Sequence, residues 1–173
     1  MRYLLLDRIT ELKPGSHAVG HKCVAMTEDY FNDHFPGFPV VPGVLLVEAM
    51  AQLAGRLITY SVEAEGGGRV LPVLLGINNA RFRRFVRPGD TVELRAELIG
   101  LVDGAGRCRC TARVATTAVA SAELMLGYDT GQNQVIPPAS RAVLDTWAEQ
   151  VNRTLLQDVT IPSPSPQPAG EQK

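Results

Sequence analysis

The chain has 173 residues, of which 45% are hydrophobic and 20% charged, values that are ordinary for one soluble globular domain with a short extension. Its formal net charge of -1 excludes the general basic field by which many proteins hold nucleic acid. Three cysteines do not suggest a disulfide framework, and the apolar segments are too short or too polar for a signal peptide or a membrane span. We therefore expect a cytoplasmic protein with no nucleic-acid or membrane partner.

The first part of the chain predicts two strands followed by a rigid loop. Residues 3–12 and 16–27 are typical of strands joined by a turn at Pro14 and Gly15. Residues 28–43 then mix turn formers with aromatic residues, and the three prolines and two glycines in the second half prevent regular structure. Because such a loop fixes the path of its backbone, it can hold a reactive side chain in place.

Residues 44–60 predict a helix that is apolar almost all the way round, with Gly43 at its start. Its polar residues Glu48, Gln52 and Arg56 recur every four positions, so they lie on one stripe of the helix. A helix with so little polar surface is normally buried. Other elements of the fold must therefore wrap it.

The remaining segments predict the sheet that wraps this helix. Residues 70–87 are strand-like, residues 91–98 and 107–116 alternate between polar and apolar side chains, and a last strand covers about 119–128. A glycine-rich turn at 103–106 would join the two alternating strands into a hairpin. The predicted fold class is therefore α+β, with an antiparallel sheet curled around one central helix.

The character of the sequence changes after the last strand. Residues 141–156 predict an amphipathic helix with Trp147 near its apolar face, and the proline- and serine-rich end predicts disorder. We therefore expect three parts: a domain at residues 1–130, a helical extension at 131–160 and a disordered tail at 161–173.

Two motifs decide the functional hypothesis. The first is HFPGFPVVPGV at residues 34–44, and the second is EAMAQ at 48–52. Together they resemble the signature of the FabZ-type 3-hydroxyacyl-acyl-carrier-protein dehydratases of the FabA/FabZ family. The resemblance covers about residues 3–128, including LLDRI at 5–9 and GINNARFR at 76–83. It implies the hot-dog fold, in which an antiparallel sheet wraps a long central helix.

The resemblance also implies a role for each of four residues. In such dehydratases the histidine, here His34, takes a proton from C2 of the thioester, and the acid, here Glu48, protonates the departing 3-hydroxyl group. The two meet at a dimer interface, so each active site takes one residue from each subunit. The carbonyl of Val40 is expected to orient the imidazole, and the backbone N–H of Gly43 to hold the thioester oxygen. Gln52 lies one turn after Glu48, and this position predicts a residue that supports the site beside the substrate.

The same chemistry follows from the residue types. Removing a C2 proton builds negative charge on the thioester oxygen, and a helix N-terminus offers unpaired N–H donors and a positive dipole end there. Histidine suits proton abstraction near neutral pH, and a carboxylic acid in apolar surroundings can keep the proton that a leaving hydroxyl needs. The reaction therefore requires no metal and no organic cofactor.

A basic cluster and a second copy of the chain complete the expected partners. The cluster is Arg81, Arg83, Arg84 and Arg87, which the resemblance identifies as a docking patch for acyl carrier protein or its phosphopantetheine phosphate. A solvated strand face is the alternative interpretation. The resemblance also implies a homodimer, which a trimer of dimers could extend.

Two other functions compete with dehydration. A hot-dog acyl thioesterase would release free thiol from an acyl thioester, and the proline-rich histidine loop argues against it. A non-catalytic acyl-binding or dimerisation partner in a polyketide-like pathway would turn over no substrate. In that case His34 is a packing residue, and Glu48 with Gln52 is a structural polar patch.

Overall fold

The computed structural model describes residues 3–129 and 136–161, which form a six-stranded antiparallel sheet and two α-helices. The strands are β1 (Arg8–Lys13), β2 (His17–Cys23), β3 (Val73–Phe82), β4 (Thr91–Val102), β5 (Ala105–Val114) and β6 (Thr117–Gly127). The helices are α1 (Gly43–Ala64) and α2 (Pro138–Leu155), and a 3-10 turn spans Asp29–Asn32. The strand order β1-β2-β4-β5-β6-β3 places β1 and β3 at the two edges.

The core lies between α1 and the sheet. The helix contacts all six strands, and Met50, Leu53, Leu57 and Ile58 have no exposed surface. Full burial of one such side chain contributes about 1.5–3 kcal/mol. The alternation read from the sequence is confirmed in β4 and β5, where every second residue faces this core. The predicted α+β architecture of a sheet around one helix is therefore confirmed.

Two cysteines on β5 belong to this core. Cys108 and Cys110 are fully buried, as the alternation predicts. Burial raises the pKa of the Cys108 thiol to about 12, and it raises the pKa of Cys110 as well. Both thiols therefore stay protonated and act as small apolar side chains.

The strand predicted over residues 70–87 is too long, because β3 ends at Phe82. Residues 83–90 leave the sheet and run beside the histidine loop, where Val41 donates its backbone N–H to the carbonyl of Val86 at 2.8 Å. The side chain of Val86 is only 1% exposed. Val86 is buried because these two loops pack against each other. The pattern of apolar residues alone cannot distinguish such a buried loop residue from a residue in a strand.

Other bounds also differ from the sequence prediction, since β2 ends at Cys23 instead of residue 27 and β4 continues to Val102 instead of ending at residue 98. The strand predicted over residues 3–12 is shorter, because Leu5 donates its backbone N–H to the side chain of Gln52 instead of to a neighbouring strand. The helix predicted over 44–60 is longer, since α1 continues until Gly66 adopts a positive φ of 84°. The contact of Leu5 with Gln52 is distant in sequence, whereas the positive φ of Gly66 is a local conformation.

α2 packs against the body of the domain in the region where the sequence predicts a helix. Three of its own side chains are buried by this packing, those of Ala148, Val151 and Leu155. Arg141 donates from Nη2 to the carbonyl of Arg69 at 2.8 Å, which ties the start of α2 to the segment after α1. Residues 131–135 and 162–173 of the predicted extension and tail lie outside the described residues. None of the described helices is long and apolar enough to cross a membrane.

Candidate active site

The loop that follows the 3-10 turn holds the imidazole of His34. Its Nδ1 lies 3.0 Å from the carbonyl oxygen of Val40, and the N–H of Val40 donates back to the carbonyl of His34 at 3.0 Å. Because a carbonyl can only accept a hydrogen bond, Nδ1 carries the hydrogen, and in the neutral imidazole Nε2 then keeps its lone pair. The ring of Phe35 stacks on the imidazole with a centroid distance of 4.0 Å. The loop therefore presents His34 as an oriented base.

Gly43 is the first residue of α1, at the end of the same loop. The backbone N–H groups in the first turn of a helix have no partner within the helix. A Cβ atom on Gly43 would lie 2.9 Å from the ring of Phe82, which would have to move. Glycine therefore lets β3 approach the helix N-terminus, where the positive end of the helix dipole favours an oxyanion.

Gln52 connects Glu48 to the N-terminal segment of the chain. Its Nε2 donates to Oε1 of Glu48 at 2.9 Å and to the carbonyl of Tyr3 at 3.2 Å, and its Oε1 accepts from the N–H of Leu5 at 2.9 Å. Both donor hydrogens and the acceptor of this amide are therefore used. Since Oε1 of Glu48 is occupied as an acceptor, a proton on the neutral acid would sit on Oε2.

A cavity of about 420 Å³ opens beside this pair. The stripe of α1 (Glu48, Gln52 and Arg56) forms one side of it, and the other walls are largely apolar. They include Leu71, Pro72, Val73, Leu74, Leu126, Ile136, Leu144 and Trp147. A cavity with apolar walls and a few polar groups is typical of a site for an acyl chain. His34 is not among the described residues that line it.

The structure brings most of the basic cluster together. Arg83, Arg84 and Arg87 line one surface pocket of about 490 Å³, whereas Arg81 lines a smaller pocket that Arg83 also borders. All four side chains are exposed. The guanidinium of Arg87 lies 4.8 Å from the ring of Phe38, so aromatic contact links this cluster to the histidine loop.

Arg56 and Trp147 are among the residues that line the cavity but were not predicted from the sequence to belong to a site. Arg56 continues the stripe of Glu48 and Gln52, and its guanidinium carbon lies 5.9 Å from the centre of the Trp147 ring on α2. The spacing of four along α1 was the available signal for Arg56. For Trp147 there was none, because nothing local shows where an amphipathic helix will dock.

The comparisons with known proteins agree with this geometry. The FabA-like domain family matches residues 1–123, a range that includes His34, Glu48 and all of α1. The chain belongs to this family. The 3-hydroxyacyl-[acyl-carrier-protein] dehydratase FabZ of Chloroflexus aggregans is 46% identical over 123 residues, which cover 71% of this chain and 83% of that protein. The FabZ proteins of Thioalkalivibrio sulfidiphilus and Bacillus subtilis are 46% and 43% identical over 71% and 70% of this chain, and over 85% and 84% of their own. The resemblance to FabZ-type dehydratases is confirmed.

Solved structures of lower identity support the fold. The dehydratase heterocomplex ApeI:P from Xenorhabdus doucetiae matches with a TM-score of 0.60 at 17% identity, covering 76% of this chain and 91% of that one. The thioesterase HI1161 from Haemophilus influenzae matches with a TM-score of 0.56 at 17% identity, over 74% and 81%. Identities this low speak only to architecture. The predicted hot-dog fold is confirmed.

Proposed function

We propose that this FabZ-type hydro-lyase removes water from (3R)-3-hydroxyacyl thioesters on acyl carrier protein and yields trans-2-enoyl thioesters, in fatty-acid or related acyl synthesis. The observation that carries the proposal is the family match over residues 1–123, which includes both His34 and Glu48. The hydrogen bonds of Val40 to His34 and of Gln52 to Glu48 support it, because each orients one of the two side chains.

The proposed reaction uses one base and one acid. Nε2 of His34 removes the proton from C2 of the substrate. The negative charge that develops on the thioester oxygen is stabilised by the N–H of Gly43 at the start of α1. The C3–O bond breaks as Glu48 gives its proton to the departing hydroxyl, which leaves as water while the double bond forms between C2 and C3. Transfer of the proton from His34 back to Glu48 restores the enzyme.

We also propose that the active site is completed by a second copy of the chain. His34 does not line the cavity beside Glu48 within one copy. The edge strand β3 pairs with β6 on one side, and it exposes Val73, Leu75 and Ile77. An exposed apolar edge strand is a ready interface for pairing with another chain. In the proposed homodimer, His34 of one copy faces Glu48 of the other. Light scattering in solution tests whether dimers associate further into a trimer of dimers.

The basic cluster is the proposed docking surface for the carrier. Arg83, Arg84 and Arg87 place three positive charges around one pocket beside the histidine loop, with Arg81 nearby. Guanidinium groups bind phosphate in bidentate geometry, as the phosphopantetheine phosphate of a carrier protein would require. Replacing Arg84 and Arg87 by Gln is expected to raise KM for the acyl carrier and leave kcat nearly unchanged.

Mass spectrometry of the acyl carrier tests the reaction itself. Wild-type protein incubated with a 3-hydroxyacyl carrier is expected to give a product lighter by one water, and His34→Ala and Glu48→Ala to turn over at least about 100-fold more slowly. His17→Ala and Glu93→Ala are the matched controls, because both residues lie on strands outside the cavity. Full turnover by either site variant would remove that residue from the mechanism. Release of free carrier thiol would indicate a thioesterase, and no change in mass would indicate a non-catalytic partner.

A further inference from the structure

The far end of the Glu48 cavity is built differently from the end where the reaction takes place. Arg56 lies two turns beyond Glu48, about 12 Å along α1 at 1.5 Å per residue. Across from it, Leu144 and Trp147 of α2 line the same cavity. α2 begins after the last residue of the family match, residues 1–123, so this wall lies outside the part of the chain that the match covers.

The guanidinium of Arg56 lacks a counter-charge among the described residues. Its Nε is buried without a hydrogen-bond partner there. Burial lowers the pKa of Arg56, and the groups that act on it electrostatically are Tyr60 and Arg69 rather than a carboxylate. The side chain of Arg56 as a whole is half-buried in the cavity wall. A buried N–H donor without an acceptor is costly, so it marks a place where an acceptor can bind.

Trp147, on α2, contacts the guanidinium of Arg56 with its ring. Its ring lies within cation–π distance, at 5.9 Å. The helix that carries it is fixed by the ion pair of Arg141 with Asp129 at 3.2 Å, by the hydrogen bond of Arg141 to the carbonyl of Arg69 at 2.8 Å and by the buried side chain of Val151. The far wall is therefore a fixed aromatic and cationic surface in a cavity that is otherwise mostly apolar.

We propose that Arg56, in contact with the ring of Trp147, binds the far end of the acyl chain. It thereby selects chains that end in a hydrogen-bond acceptor, a carboxylate above all. This inference rests on the proposed function, since it places the acyl chain in the cavity beside Glu48. A carboxylate accepts charge-assisted hydrogen bonds from the guanidinium. A methyl end of the same reach leaves the buried Nε–H without an acceptor, so such chains are disfavoured.

A competition between two substrates tests the proposal. Two 3-hydroxyacyl carriers of equal chain length, one ending in a methyl and one in a carboxyl group, are mixed with enzyme, and the ratio of their kcat/KM values is measured. The length is increased step by step until the far end reaches Arg56. The wild type is expected to favour the carboxyl-ended chain by about 10-fold or more at that length. Arg56→Met is expected to reverse the preference, and Trp147→Ala to weaken it.

Two controls separate this inference from the proposed function. Arg113→Met removes an exposed guanidinium on β5 and is expected to keep the wild-type ratio. A 3-hydroxybutyryl carrier is too short to reach Arg56, so the wild type and Arg113→Met should dehydrate it at similar rates. No turnover of this short substrate by the wild type would overturn the proposed function. Turnover of it, together with a wild-type preference for methyl-ended chains that Arg56→Met leaves unchanged, would overturn the role of Arg56 alone.

Discussion

The two ends of the polar stripe on α1 differ in how well their side chains are satisfied. At one end Gln52 uses its whole amide to bind Glu48, Tyr3 and Leu5. At the other end Arg56 has a buried Nε without a partner among the described residues. A satisfied polar network is rigid and holds reactive groups in place, whereas an unsatisfied one is complete only when a ligand supplies the missing atoms.

The two ends also have different origins in the chain. The end with Glu48 lies wholly within the family match and is braced by the N-terminal segment through Gln52. The end with Arg56 is closed by Trp147 of α2, beyond that match. The matched part of the chain thus supplies both proposed catalytic residues, and α2 supplies one wall of the proposed acyl-binding cavity. Substitutions at the two ends should consequently have different kinds of effect.

The largest effect is expected at Glu48. Glu48→Gln keeps an oxygen that can accept the hydrogen bond from Gln52, so the fold should be retained, but the new side chain has no acidic proton. We expect kcat to fall by about 10²–10⁴-fold, the range for removing a positioned acid. Steady-state kinetics with a 3-hydroxyacyl carrier measures this, and an unchanged melting temperature shows that the loss is chemical. A variant with wild-type kcat would reduce Glu48 to a structural acceptor.

Gln52 should affect both rate and stability. Gln52→Leu leaves the N–H of Leu5 and the carbonyl of Tyr3 without their side-chain partner and frees Glu48 to rotate. We expect the free energy of unfolding to fall by about 2 kcal/mol and kcat to fall by about tenfold, with little change in KM. Urea unfolding and steady-state kinetics provide the two readouts. Gln150→Leu, on the exposed face of α2, is the control and should change neither. A Gln52 variant as stable as the wild type would contradict the bracing role.

Arg56 should behave in the opposite way in a stability measurement. Arg56 is half-buried, and its Nε is buried without a partner among the described residues. An apolar side chain of similar length removes this desolvation cost, so Arg56→Met is expected to raise the free energy of unfolding by about 1 kcal/mol. Urea unfolding measures this in the absence of substrate. If the free energy of unfolding of Arg56→Met instead fell by more than about 1 kcal/mol, the contact with Trp147 would outweigh the cost of desolvating the guanidinium. Both ends of the stripe would then stabilise the fold.

The smallest effect at neutral pH is expected in the core, where burial acts on a thiol that stays protonated. Burial raises the pKa of Cys108 from 9.0 to about 12. The folded state therefore holds this proton more tightly than the unfolded state does. The resulting stability is present below pH 9 and is lost as the pH rises from 9 towards 12. Melting curves at increasing pH should show this decline, and Cys108→Ala should show a shallower one. Equal slopes would mean that Cys108 does not contribute.

The sequence predicted the parts of the fold that depend on short-range pattern. The apolar helix and its stripe followed from spacing, and the motif at residues 34–52 indicated the family and both proposed catalytic residues. What could not be predicted depends on contacts between distant segments. The end of β3 depends on pairing between Val86 and Val41, and the brace at Gln52 depends on where the N-terminal segment crosses α1. Likewise, only the docking of α2 reveals that Trp147 faces Arg56.

Mixed dimers test the central claim most directly, namely that His34 of one copy works with Glu48 of another. His34→Ala and Glu48→Gln proteins, each inactive alone, are mixed under conditions that exchange subunits, and dehydration of a 3-hydroxyacyl carrier is then measured. If each site takes one residue from each copy, every mixed dimer contains one intact site, and a random mixture recovers about a quarter of the wild-type activity. If both residues of a site came from the same copy, no mixed dimer would contain an intact site. Exchanged dimers that remain as inactive as the parent variants would contradict the account.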